Sequence, residues 1–164
     1  MKNNNKKINP AYSENVKGGV IGNNGQVWLY SEAVKKHFFN PIKFMKENEE
    51  NKFFFNGMGK VGSRACGDEM IMWINVDPKT NIIKDCRWRT FGCGSAIAAT
   101  SALAEMITEN KGKTIDEAMR ITPQDILKRL NGLPARKVHC SVLGDQALQS
   151  AISNYKKNHY ESKS

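Results

Sequence analysis

The strongest constraint on the fold comes from two neighbouring runs of alternating polarity. In residues 70–76 every second side chain falls on one face of an extended chain, and that face is apolar: Met70, Met72, Ile74 and Val76. Residues 82–91 alternate in the same way, with one face formed by Ile82, Cys86 and Trp88. The five residues between the runs, DPKTN, are typical of a turn. The pattern therefore predicts an antiparallel hairpin.

The periodicity changes from strand-like to helical at residues 92–94, Gly-Cys-Gly. Residues 95–110 are rich in alanine and other small side chains, which predicts a helix that lies close on a sheet. A capping box at residues 114–117 and a Thr-Pro pair at 122–123 open two shorter helices. Apolar spacing predicts a last helix over about 140–156. Strands followed by helices predict an α+β fold, a small antiparallel three-stranded sheet with helices packed on one face.

The chain before the hairpin contains one predicted helix and one predicted strand. Residues 31–39 are predicted as a helix, with Ser31 as N-cap and Pro41 ending it. The apolar run Phe53-Phe54-Phe55 is expected to supply the third strand. Residues 1–29 are rich in asparagine and glycine with little periodicity, so we expect a flexible N-terminal extension. The expected globular domain is then 30–157, followed by a C-terminal tail at 158–164.

Charge and hydropathy exclude several classes of protein. The net charge is +9, but its basic residues are spread along the chain without the interleaved aromatics of a nucleic-acid platform, so no nucleic-acid partner is expected. No stretch approaches the ~20 apolar residues that span a bilayer, so no membrane partner is expected. Residues 1–10 lack the apolar segment of a secretory signal, and we expect a cytoplasmic protein.

Four cysteines, at positions 66, 86, 93 and 140, carry the chemical information. In a reducing cytosol, metal binding or thiol chemistry is favoured over disulfides. Cys66 precedes Gly67-Asp68, Cys93 stands between two glycines at a strand-to-helix junction, and Cys140 follows His139 at the expected start of a helix. A thiolate at a helix N-terminus is stabilised by the amide dipoles. Glycines without a Cβ let the backbone approach a metal closely.

The residue types in these motifs leave three interpretations open. Sulfur and imidazole donors suit tetrahedral iron or zinc, and a carboxylate among them would be a weaker ligand that favours release. Spacing alone gives no Cys-X-X-Cys pair, so isolated core cysteines and a nucleophilic Cys140 paired with His139 remain alternatives. Cys86 lies on the apolar strand face and is expected to be a buried thiol rather than a ligand.

Longer strings around these residues resemble a known family. The segments VGSRACGDEM, IIKDCRWRTFGCGSAIAATSALAE and ARKVHCSVLGDQAL are similar to the three signature segments of the IscU/NifU scaffold family. YSEAVKKHFFNP resembles that family's N-terminal helix, so the likeness runs from about Tyr30 to Tyr155. It implies that the metal and cluster ligands are Cys66, Asp68, Cys93, His139 and Cys140, with Lys137 as a basic residue beside them.

The resemblance also implies a function without enzymatic turnover. A cysteine desulfurase would deliver sulfur as a persulfide to Cys140, a ferredoxin-like donor would supply electrons, and Fe2+ would be built into a transient 2Fe-2S cluster for apo iron–sulfur acceptor proteins. Zn2+ could occupy the same ligands in the protein as isolated. The alternative is a zinc-stabilised SufU-type sulfur carrier. Proteins of that type typically carry an insertion between the second and third cysteine segments and lack the histidine, and this chain has a short 93–140 interval and His139.

Two departures from the family pattern limit what the resemblance implies. The segment recognised by a DnaK-like chaperone usually reads Leu-Pro-Pro-Val-Lys, whereas this chain has Leu133-Pro134-Ala135-Arg136-Lys137. The missing second proline counts against that partner. Full-length NifU proteins also carry further cysteine-containing domains, which have no counterpart in these 164 residues.

Overall fold

A computed structural model describes residues 19–21, 27–63 and 67–161. Its strands are β1 (Gly19–Ile21), β2 (Val27–Leu29), β3 (Gly57–Ser63), β4 (Asp68–Val76) and β5 (Ile83–Phe91). Its α-helices are α1 (Glu32–Phe39), α2 (Gly94–Thr108), α3 (Ile115–Ala118), α4 (Pro123–Arg129) and α5 (His139–Glu161). Within the described ranges, no helix combines the length and the apolar character needed to cross a membrane.

The principal sheet is antiparallel with strand order β3-β4-β5. The predicted hairpin is confirmed, and β4 and β5 pair with Met72 opposite Trp88. The inward side chains of this sheet meet α2 and α5 in one core, and the largest side chains buried there include Trp88, Leu103 and Leu148. The predicted α+β fold, a three-stranded antiparallel sheet with helices on one face, is therefore confirmed.

The third strand lies later in the chain than predicted. Residues 53–55 are not part of a strand, and β3 instead begins at Gly57. Phe54 is 69% exposed, while the Arg87 guanidinium lies over the Phe53 ring, 4.8 Å from its centroid. Asn56 marks the point where the chain joins the sheet, because its side chain bonds both the N–H and the C=O of Val76. Three consecutive aromatic residues lack the alternation that a half-buried strand needs.

A register shift alters which face of β5 is buried. The alternation in the sequence places Ile82 on the core face with Cys86 and Trp88, but Ile82 is only half-buried and Ile83 is fully buried instead. The irregularity lies between Asn75 and Val76 on the partner strand. A bulge of this kind reverses the alternation on one side of it, so the prediction for Ile82 is wrong and those for Cys86 and Trp88 are confirmed.

Helix α5 lies directly on β3 because two glycines leave room for it. A Cβ at Gly59 would overlap the carbonyl oxygen of Ala147 and lie 2.5 Å from the backbone nitrogen of Ala151. A Cβ at Gly57 would lie 2.7 Å from the Ala151 carbonyl oxygen. The helix backbone and the strand backbone are therefore in contact, and this contact sets the position of α5 over the sheet.

The predicted helix starts are confirmed by their caps. Ser31 accepts a hydrogen bond from the backbone N–H of Val34, and both Thr114 and Thr122 form complete capping boxes. The last helix continues to Glu161, beyond the predicted end near residue 156, because residues 157–161 contain no helix breaker. The predicted helix end is therefore wrong, and the C-terminal tail at 158–164 stays a prediction.

At the N-terminal end, β1 and β2 form a two-stranded antiparallel pair inside the predicted extension. The rest of that segment, residues 1–18 and 22–26, lies outside the described residues, as do 162–164. The flexibility of the extension and the domain boundary at residue 30 stay predictions.

One buried hydroxyl in α5 suggests a stability test. The Tyr155 hydroxyl is buried, and no described residue lies within hydrogen-bond reach of it. Because an unpaired buried polar group costs free energy, Tyr155→Phe is expected to leave the free energy of unfolding unchanged or to raise it by up to about 1 kcal/mol. Urea unfolding of both chains measures this. A loss of more than about 1 kcal/mol would mean that the hydroxyl has a partner.

Candidate metal centre

Cys93 is placed by the junction between β5 and α2. It is the N-cap of α2, with φ −80° and ψ 168°, so its sulfur lies at the end of the helix where amide N–H groups are unpaired. Tyr30 reaches the same end, with its hydroxyl 3.2 Å from Ser95 Oγ. The first segment of the domain therefore packs against the turn that presents Cys93.

The two glycines beside Cys93 have a packing role that the sequence analysis did not assign. A Cβ at Gly92 would lie 3.0 Å from Asp68 Oδ1, and a Cβ at Gly94 would lie 3.1 Å from the ring of Phe38. The glycines thus make room for the carboxylate and for an aromatic ring, rather than serving only a close approach to metal. The sequence shows that Cys93 has a glycine on each side. It does not show that Asp68 and Phe38 are the groups for which these glycines make room.

Asp68 and Cys140 belong to two other elements, β4 and α5, and both lie close to Cys93. Asp68 is the first residue of β4 and is 8% exposed. Cys140 lies in the first turn of α5 and is fully buried, with its Sγ 3.5 Å from Cys93 Sγ. One sheet strand and two helix starts therefore converge at a single point.

The three side chains form a donor set that fits one metal ion. Among the described residues, one ligand atom from each of Asp68, Cys93 and Cys140 lies within 4.8 Å of the other two. Two thiolates bound tetrahedrally to one ion at about 2.3 Å would have sulfurs about 3.8 Å apart. The observed sulfur separation of 3.5 Å is close to that value. Sulfur and carboxylate oxygen suit iron or zinc.

The other predicted site residues, His139, Lys137 and Cys66, do not belong to this three-residue donor set. His139 is exposed, and its Nε2 lies 3.7 Å from Cys140 Sγ, so it contacts one member of the donor set from the side. Lys137 is half-buried at the end of the short 3-10 turn Ala135–Lys137, and its positive charge acts on both cysteines. Cys66 lies outside the described residues, two positions before Asp68. The structure thus brings together three of the five predicted ligands.

The two contacting thiols share their ionisation. A hydrogen bond from the Cys140 thiol lowers the pKa of Cys93 to about 5, and backbone N–H groups of α2 and the charge of Lys137 act in the same direction. The same hydrogen bond, burial and the negative charge of Asp68 raise the pKa of Cys140. The pair therefore holds one proton and one negative charge near neutral pH. A cation is attracted to such a pair.

Cys86 is chemically unlike these two cysteines. It is fully buried, its Sγ lies 4.0 Å from the Ala104 carbonyl oxygen, and burial raises its pKa to about 12. A thiol in this state is neither a nucleophile nor a ligand at neutral pH. The prediction that Cys86 is a core thiol is confirmed.

The fold and the site together define a class of protein. It is a small α+β domain in which one strand of the sheet and two helix N-termini bring thiolates and a carboxylate to one point. The family described as NifU-like N terminal domain matches residues 29–162, and the chain belongs to that family. The resemblance found in the sequence is thereby confirmed.

Several relatives are similar over most of this chain. Nitrogen fixation protein NifU of Azotobacter chroococcum mcd 1 is 46% identical over 130 residues, which are 79% of this chain and 40% of that protein. Iron-sulfur cluster assembly scaffold protein IscU of Aquifex aeolicus is 44% identical over 126 residues, which are 77% of this chain and 75% of that protein. IscU of Escherichia coli is 44% identical over 129 residues, or 77% of this chain and 94% of the relative.

Solved structures support the fold. A NifU-like N-terminal protein from Brucella abortus matches with a TM-score of 0.55 at 16% identity, covering 77% of this chain and 94% of that one. A structure titled as a putative iron-sulfur cluster assembly scaffold protein for the SUF system, from Fervidobacterium islandicum, matches with a TM-score of 0.53 at 21% identity, covering 75% and 96%. At these identities the likeness concerns the fold alone.

Proposed function

We propose that this chain is a scaffold on which iron and sulfur are assembled into a 2Fe-2S cluster that is then passed to apo-proteins. The observation that carries the proposal is the convergence of Asp68, Cys93 and Cys140 ligand atoms within 4.8 Å. The two IscU relatives are named iron-sulfur cluster assembly scaffold proteins, and these names support the same role. Because the chain spans 40% of the Azotobacter NifU length, any activity of that whole protein is outside this proposal.

Each site residue has a part in this assembly. Cys140 is the proposed acceptor of persulfide sulfur from a cysteine desulfurase, and the exposed His139 imidazole lies 3.7 Å from its sulfur. Cys66, Asp68, Cys93, His139 and Cys140 are the proposed iron ligands, and Lys137 supplies positive charge to the sulfurs of Cys93 and Cys140. A ferredoxin-like protein is the proposed electron donor. The cytoplasmic location stays a prediction.

The chaperone segment is folded into the domain. Leu133 is 8% exposed and belongs to the hydrophobic core, and residues 135–137 form a 3-10 turn. A DnaK-like chaperone binds extended segments, so this packing argues against recognition of the folded chain through Leu133. The missing second proline argues in the same direction.

The second candidate is a zinc-stabilised sulfur carrier of the SufU type, which would relay sulfur without building a cluster. The 3.5 Å separation of the Cys93 and Cys140 sulfurs fits a tetrahedral zinc ion as well as it fits iron, because the two metals accept the same donors. The two candidates differ in their product. A carrier would transfer sulfur with zinc in place, whereas a scaffold must exchange its ligands to iron.

Anaerobic reconstitution with Fe2+, L-cysteine and a cysteine desulfurase tests the proposal. A scaffold should develop the visible sulfide-to-iron absorption of a 2Fe-2S cluster, with iron and acid-labile sulfide in equal amounts. Transfer of both to an apo-ferredoxin should follow. A protein that accepts sulfur on Cys140, retains zinc and gives no visible absorption would be a carrier, and the scaffold proposal would be wrong.

Asp68→Ala is expected to lengthen the lifetime of the bound cluster by about tenfold, since a carboxylate oxygen is the ligand that exchanges most readily in a thiolate-rich set. Asp68 is nearly buried beside Gly92, so its removal takes an oxygen donor out of the donor set and leaves sulfur ligands that exchange more slowly. Cluster decay and transfer to an apo-acceptor, followed by absorption, measure the effect. Asp77→Ala, at the far end of β4, is the control and should not change either rate. Faster cluster loss from Asp68→Ala would make Asp68 a structural anchor.

A further inference from the structure

Two cysteines of the site are in direct sulfur–sulfur contact before any cargo is bound. Cys93 Sγ and Cys140 Sγ lie 3.5 Å apart although 47 positions separate the residues in the chain. Both residues stand at helix starts that are fixed by packing, Cys93 as the N-cap of α2 and Cys140 in the first turn of α5. The third described cysteine, Cys86, lies in the core away from this contact. Of the three cysteines that the structure describes, only Cys93 and Cys140 are therefore in contact.

We propose that Cys93 is the resolving thiol for a persulfide on Cys140, releasing its outer sulfur as sulfide and forming a Cys93–Cys140 disulfide. This inference rests on the proposed role of Cys140 as sulfur acceptor. The Cys93 thiolate attacks Cys140 Sγ, the bond between that sulfur and the outer sulfur breaks, and HS− leaves with the electron pair and its proton. The outer sulfur is reduced by two electrons, and the two cysteine sulfurs are oxidised by two electrons in total.

The geometry favours attack on the inner sulfur of the persulfide. Thiol–disulfide exchange requires the attacking sulfur to approach one sulfur on the side opposite to the leaving sulfur. Cys93 Sγ already contacts Cys140 Sγ on one side, and His139 Nε2 lies 3.7 Å from the same sulfur. The exposed imidazole is placed to donate a hydrogen bond to the departing sulfide. Attack on the outer sulfur would instead move the persulfide to Cys93 without releasing sulfide.

The movement needed is small. A disulfide bond is about 2.05 Å long, so the sulfurs must approach by about 1.5 Å from their present separation. Rotation about the Cα–Cβ bonds moves a sulfur atom by distances of this size. Each release of sulfide converts both thiols into a disulfide. A dithiol reductant must therefore reduce the disulfide before Cys93 and Cys140 can bind metal. Sulfide release would thus be coupled to the thiol redox state.

A chemical persulfide donor tests the inference independently of any desulfurase. Metal-free protein is treated anaerobically with inorganic polysulfide, desalted, and sampled over time into an alkylating reagent for peptide mass mapping, while free sulfide is assayed. The parent chain is expected to release one sulfide for each Cys93–Cys140 disulfide that forms. In Cys93→Ser, the Cys140 persulfide should persist and sulfide release should fall by at least about tenfold. Cys86→Ser should behave as the parent does.

Different outcomes separate this inference from the function on which it rests. Equal persulfide lifetimes in the parent and in Cys93→Ser, or a disulfide that joins Cys140 to Cys66, would overturn the role of Cys93. Far-UV circular dichroism of Cys93→Ser checks its fold, and mild diamide oxidation of the parent gives a second measure, since it should yield the 93–140 disulfide. Mixed or intermolecular disulfides from diamide would count against the inference. Failure of a desulfurase to load Cys140, with polysulfide chemistry as expected, would instead overturn the proposed sulfur acceptance.

Discussion

Cys93→Ala and Cys140→Ala chains are expected to yield no stable 2Fe-2S cluster on reconstitution, whereas Cys86→Ala should assemble one at the parent level. The first two substitutions each remove one of the three ligand atoms that lie within 4.8 Å of one another. The remaining pair would have to hold iron through one thiolate and one carboxylate, and such sites bind iron weakly. Cys66→Ala is expected to behave in the same way, because the family resemblance implies that Cys66 is a ligand.

The measurement is visible absorption with iron and sulfide analysis per chain, made under identical anaerobic conditions. Cys86→Ala is the matched control because it also removes one thiol but leaves the donor set intact. Its expected cost is confined to stability, about 1–2 kcal/mol for a buried side chain reduced to alanine. A requirement for Cys86 together with indifference to Cys140 would contradict the ligand assignment.

Gly59→Ala is expected to lower the free energy of unfolding by about 3 kcal/mol or more, which is a large effect for one methyl group. The new Cβ would overlap the Ala147 carbonyl oxygen and lie 2.5 Å from the Ala151 nitrogen, and both are backbone atoms that cannot rotate away. Relief requires α5 to move off β3. Because Cys140 belongs to the same helix, the movement should also weaken zinc binding.

Gly62→Ala on the same strand is the matched control. Its Cβ would meet only ordinary contacts, the nearest at 3.6 Å, so the free energy of unfolding should stay within about 0.5 kcal/mol of the parent. Urea unfolding and zinc titration of the two variants provide the comparison. Equal midpoints for Gly59→Ala and Gly62→Ala would show that α5 does not depend on close contact with β3.

Local patterns in the sequence predicted the elements that depend on neighbouring residues. The β4–β5 hairpin, the caps at Ser31, Thr114 and Thr122, and the burial of Cys86 all follow from residues within a few positions of one another. The bulge at Asn75 and Val76 could not be predicted, because it arises from pairing between strands. The strand at residue 57 was missed because its glycines carry no alternation signal and acquire meaning only from α5.

The candidate site shows the same division. Residue types and family resemblance identified Cys93, Cys140 and Asp68, but no spacing along the chain reports a 3.5 Å sulfur contact between residues 47 positions apart. The sequence likewise does not show that Gly92 makes room for Asp68. That contact is between a residue just after β5 and the first residue of β4, which are distant in the chain. Candidate ligands can be predicted from the sequence, whereas their geometry depends on the packed fold.

The late position of Cys140 has a consequence during synthesis of the chain. At about 5–20 residues per second, the ribosome completes Asp68 and Cys93 several seconds before Cys140, and residues up to Glu161 must follow before α5 is complete. A partly made chain therefore carries Asp68 and Cys93 before it carries Cys140, whose sulfur lies 3.5 Å from Cys93 Sγ in the folded domain. Assembly of the full donor set would await the docking of the final helix.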